Sequence, residues 1–174
     1  MVKENDSNPV KESKEGKLDK FRANYEKLAK KHSLPSFDML NNYFDIEELS
    51  SKSTDRFLRI IRRRITEKTS SYLRFMEVFL NPSQAPLFYM VLTKNMPDEG
   101  RKIINESYFD LGRIEIDHLR MELQDYDEKA ESELIKDFCA IWSTVKKQMK
   151  VLVEIFDKQW KQKRSESREK TYLG

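Results

Sequence analysis

The sequence predicts an all-α protein, an antiparallel bundle of three long amphipathic helices with several short ones attached. Two observations carry this. Gly occurs four times and Pro five times in 174 residues, too few for the tight turns of a multi-stranded sheet. Apolar residues also recur every three or four positions, the period of a helix with one buried face.

Composition agrees with a packed domain under a charged surface. Hydrophobic residues make up 38% and charged residues 36%, the latter well above the roughly 25% of an average soluble domain. Residues 1–16 and 164–174 are polar and aperiodic and read as tails, which leaves 17–163 as one domain. No apolar run approaches the roughly 18 residues of a membrane span, and the N-terminus has no apolar signal core. The lone Cys139 cannot form an internal disulfide or a thiolate metal cage. These features point to a cytoplasmic protein with no membrane and no cofactor.

The elements follow from the apolar pattern. Leu18, Phe21, Tyr25, Leu28 and His32 form one stripe that stops before Pro35. A short helix after Ser36 groups Phe37, Leu40 and Phe44, and Asp45 with Glu48 suggests a capping box for a further turn. A long helix is expected from Ser53 or Thr54 to Asn81 and Pro82, burying Phe57, Leu58, Ile61, Ile65, Tyr72, Phe75, Met76 and Phe79. The run Leu87 to Leu92 reads as a short buried helix. Pro97 opens another, with Asp98 and Glu99 facing its positive end, and it runs to about Gln124. The last helix, from near Ser132 to about Lys163, carries Leu134, Phe138, Ile141, Val145, Met149, Leu152 and Phe156 in a coiled-coil-like seam.

Within the helix that starts at Pro97, the stretch "RIEIDHLRMEL" holds Glu115, His118 and Glu122. At about 100° per residue the polar face is Lys102, Glu106, Asp110, Arg113, Asp117 and Arg120. Opposite lie Ile104, Tyr108, Leu111, Gly112 and Leu119, with Glu115 near the middle. A Glu-x-x-His spacing is what helical-bundle metal sites use, so Glu115, His118 and Glu122 form an alternative metal set. Such a site also needs carboxylates from facing helices, and the nearest candidates, Glu77 and Glu154, point away. Lys68 falls inside the apolar arc of the helix before, with Arg62 at its border. The expected structure is therefore a buried polar cluster of Glu115, His118, Glu122 and Lys68, with Lys68 on Glu115.

Charge is unevenly spread although the net is only +3. From Lys52 to Lys68 seven bases stand against two acids, and from Glu106 to Glu133 three bases against ten acids. Arg56, Arg59, Arg63 and Arg74 project from the long helix away from its apolar arc, a row that could meet successive phosphates without reading sequence. Trp142 and Trp160 are nearly aligned on the seam of the last helix and mark a candidate interface. No phosphate loop or nucleophile elbow is present. The sequence thus points to a non-enzymatic interaction or assembly protein, with a protein partner or self-association. Nonspecific nucleic-acid binding through the arginine row is the second reading, and a ferritin-like metal protein the third.

Overall fold

A computed structural model describes residues 14–52 and 54–171, except the side chains of Gln84 and of 165–171. The described elements are all helical: α1 (Lys14–His32), α2 (Phe37–Phe44), a 3-10 segment (Ile46–Ser51), α3 (Phe57–Leu80), a second 3-10 turn (Pro82–Gln84), α4 (Leu87–Lys94), α5 (Asp98–Glu122) and α6 (Glu128–Thr171). No described helix is long and apolar enough to cross a membrane. Residues 14–16, expected in the N-terminal tail, already belong to α1, and the rest of that tail lies outside the described residues.

Helices α3, α5 and α6 pack mutually, while α1, α2 and the first 3-10 segment cover the other side of α3. Side-chain contacts give the register. Arg62 meets Glu122 and Ser70 meets Glu115, so positions advance along α3 as they retreat along α5. Tyr72 meets Trp142 and Phe79 meets Phe156, so positions advance together along α3 and α6. Leu40, Phe44, Ile46, Leu58, Ile61, Ile65, Leu111, Ile114, Ile135, Phe138 and Val145 fill the space between.

Helix ends follow from local chemistry. Ser36 accepts a hydrogen bond from the Met39 amide and caps α2. Ser33 adopts φ 54° after α1, and Leu34 N–H reaches back to the Ala29 carbonyl at 3.1 Å, the Schellman stop. Asp127 Oδ1 accepts from the Lys129 and Ala130 amides and starts α6 at Glu128, four residues before the expected Ser132. That helix also continues to Thr171, past the expected end at Lys163.

Four expectations are corrected. Asp45 and Glu48 form no capping box, because Asp45 sits at φ 53° and gives its carboxylate to Lys68, while Glu48 takes Arg64. Helix α3 begins at Phe57, later than the expected start at Ser53 or Thr54. Helix α4 exists but is not buried: Leu92 is inside, whereas Leu87, Phe88 and Met90 face outward. Finally, α5 is apolar on two faces. Ile104, Ser107, Leu111, Ile114 and Met121 face the core, while Leu119, expected inside, is 60% exposed beside Phe109 at 67%, Ile116 at 61% and Leu123 at 90%.

This contrast is measurable. Phe44→Ala should lower unfolding free energy by about 3 to 5 kcal/mol, whereas Leu123→Ala should leave the urea midpoint of the dilute, monomeric chain unchanged.

Candidate functional site

The polar centre of the molecule is a guanidinium rather than a carboxylate. Arg62 is fully buried on the face of α3 shared by α5 and α6. Its Nε donates to Glu131 Oε2 at 2.5 Å, Nη2 to Glu122 Oε1 at 2.7 Å, and Nη1 to His118 Nδ1 at 2.6 Å. Arg59 Nε donates to the other oxygen of Glu131 at 2.8 Å, and its Nη2 donates to the Gln124 carbonyl at 3.1 Å. Arg63, on the rim, completes the set by gripping both oxygens of Glu122 at 2.9 and 2.5 Å. Burying a charge is tolerable only when it is paired and its donors are used. Here the planar fork meets three acceptors from two helices.

Titration follows from this geometry. The Arg63 and Arg62 hydrogen bonds pull the Glu122 carboxyl down to about 2, against some desolvation. Burial, then the adjacent Arg62 charge, holds His118 below the usual imidazole range. An acceptor Nδ1 facing a guanidinium requires the neutral ring, which agrees. Glu115 goes the other way: desolvation raises it, only partly offset by the Arg74 charge. It lies against Ser70 Oγ, which is also 2.7 Å from the Thr66 carbonyl.

The expected cluster is therefore only partly assembled. His118 and Glu122 share Arg62, but Lys68 is not with Glu115. It points to the opposite flank of α3 and pairs with Asp45 at 2.7 Å. Helix α3 is covered on several sides, so one apolar arc contains residues aimed at different neighbours. The alternative metal set also fails on geometry. Arg62 takes the inward positions on His118 and Glu122, Glu115 is turned to Ser70, and among the described residues no group of three His, Cys, Asp or Glu is placed to hold an ion.

The arginine row is broken as well. Arg59, expected on the surface, is buried on Glu131, and Arg63 is committed to Glu122. Arg56, Arg63 and Arg74 stay exposed, but Arg63 is tied to Glu122, which leaves Arg56, just ahead of α3, far from Arg74. Trp142, expected at an interface, is core: it packs on Phe44 and Tyr72 at ring distances of 5.8 and 4.8 Å. Trp160 remains half-exposed over Phe88, on the side where α4 shows its apolar residues.

Sequence reasoning missed Glu131 because the expected helix start near Ser132 left it outside α6. Asp127 followed by acids is an N-cap and first-turn pattern that would have drawn Glu131 into the helix. It also missed the outward row Phe109, Gly112, Ile116, Leu119 and Leu123, spaced 3, 4, 3 and 4, whose first three residues line a shallow groove with Tyr108, Arg113, Asp117 and Arg120. No family model, curated protein or solved structure matches the chain.

The titration pattern fixes the sign of a pH effect. His118 binds its proton less readily folded than unfolded, so its stabilisation is present above the unfolded value of about 6.5 and is lost as pH falls from there through its lower folded value. Thermal unfolding between pH 7 and 5 should show a fall in Tm that His118→Gln abolishes. Glu115, raised by folding, opposes that fall as it takes up its proton, so Glu115→Gln should steepen it.

Proposed function

We propose that this protein is a non-enzymatic interaction module, a three-helix scaffold of antiparallel type whose binding surface is the outward row of α5. The observation that carries the reading is that Phe109, Ile116, Leu119 and Leu123 are all more than half exposed on a helix whose other face is already buried. Scattered exposed apolar residues are ordinary, but a contiguous row along one helix is characteristic of a protein-binding surface. At 1.5 Å per residue the row runs for about 21 Å, the reach of a helix-in-groove or helix-pair contact.

The aromatic patch of Phe88 and Trp160 is a second, smaller apolar surface and retains Trp160 as an interface candidate. The nucleic-acid reading loses its main support, since the inner arginines of the row neutralise carboxylates of the same chain. We place the activity in a reducing, cytoplasmic setting on the strength of the lone, buried Cys139.

Site-specific photo-crosslinking tests the reading without assuming a partner. A photoreactive residue at Leu119 should give a discrete adduct in expressing cells, and one at Lys147, exposed on α6, should not. Equal labelling at both positions, or none at Leu119, would overturn it.

A further inference from the structure

We infer that the occupant of the α5 row is a second copy of this chain, with the two α5 helices antiparallel about a twofold axis at Ile116. The inference rests on the reading of the row as a binding surface and adds the partner.

Shape is the first argument. With the axis at Ile116, Phe109 faces Leu123 of the partner subunit and Gly112 faces Leu119 of the partner subunit, so the one glycine of the row receives a large side chain. The dent at Gly112 is real, since a Cβ built there meets nothing within 4 Å. A twofold contact must be self-complementary in this way. Parallel pairing would set Gly112 on Gly112 and leave a layer unfilled. The cost of such a hole exceeds what exposed ion pairs return.

Charge is the second argument. One edge of the row alternates in sign: Asp110, Arg113, Asp117, Arg120. Within the chain Asp117 already bridges Arg120 at 2.6 Å and Arg113 at 3.7 Å. In an antiparallel pair, like edges meet. That brings Arg113 level with Arg120 of the partner subunit, and the Asp117 of each copy, already bridging both arginines of its own edge, offsets their charge. The other edge holds Glu115 and Glu122, which turn toward α3 and are engaged there by Ser70 and by Arg62 and Arg63. No uncompensated row of like charge therefore faces itself. The exposed apolar side chains, with the stems of Arg113 and Arg120, offer on the order of 600 Å² per copy against the roughly 800 Å² per partner of a standard interface. The geometry thus describes a reversible association.

The test uses the purified full-length chain. Sedimentation equilibrium should show a monomer passing to a dimer as concentration rises. Gly112→Leu, which fills the dent without touching its own chain, and Leu119→Glu should each weaken the dimer at least tenfold while keeping the helical circular dichroism. Oxidation with copper phenanthroline fixes the orientation. Ile116→Cys alone should form a disulfide dimer, as should a mixture of Gly112→Cys with Leu119→Cys, but neither of those two alone. The native Cys139 does not interfere, since burial pushes its thiol up to about 12. A monomer at every concentration, or a dimer formed by Leu119→Cys alone, would overturn the inference. A monomer whose photoreactive Leu119 labels a different protein would overturn self-pairing and leave the row standing as a binding surface; a monomer with no adduct would remove both.

Discussion

One buried guanidinium sets the arrangement of the long helices. Arg62 has no contact with water, so each of its donor groups must find an acceptor inside the protein. The acceptors come from α5, through His118 and Glu122, and from α6, through Glu131. Apolar packing alone tolerates sliding and rotation of one helix on another, whereas an ion pair with three fixed bond directions does not. Arg59 supports the same carboxylate from one turn earlier on α3, so Glu131 is held by two cations and is itself fully buried. The polar side chains around this centre cause little conflict. Thr66 and Thr69 return their hydroxyls to carbonyls one turn back on α3 and so allow α5 to approach closely.

The rotation of α5 follows from that anchoring. His118 and Glu122 must face α3, and Ser107, Leu111 and Ile114 then fall between α3 and α6. Phe109, Ile116, Leu119 and Leu123 lie nearly opposite and have no place to go but outward. A helix that is apolar on both faces while standing at the surface of a bundle is incomplete by itself. The proposed self-pairing through Gly112 would complete it, on the back of the same helix that the ion-pair network holds in place.

Much of the fold was legible from periodicity. The stripes of α1, α2, α3 and the seam of α6 survive as core, because each of these faces one dominant neighbour or is long enough to average over several. The failures have a common cause. A single helical projection assumes one buried face, and α3 has several while α5 has two apolar ones. On α3 this put Lys68 and Arg59 on the wrong sides. On α5 it averaged the core face with the outward row, which moved Leu119 inside and Glu115 to the middle. Glu131 was lost to a misplaced helix start, and Trp142 stood as an interface candidate beside Trp160 on the seam because hydrophobicity does not say which apolar side chain the core will reach first. Within the site, the contact between Arg62 and Glu122 was legible, since Arg62 bordered the arc and Glu122 faced it, but the more deeply buried partner, Glu131, was not.

The dependence of the arrangement on the buried guanidinium is tested most directly by a double-mutant cycle on Arg62→Met and Glu131→Gln, read by urea unfolding. Side chains that act as one unit show coupling, whereas independent sites add to within about 0.5 kcal/mol. The account predicts a coupling energy above about 1.5 kcal/mol, with the double variant more stable than the two single losses would allow. Simple additivity would contradict it and would mean that α3, α5 and α6 are aligned by apolar packing alone.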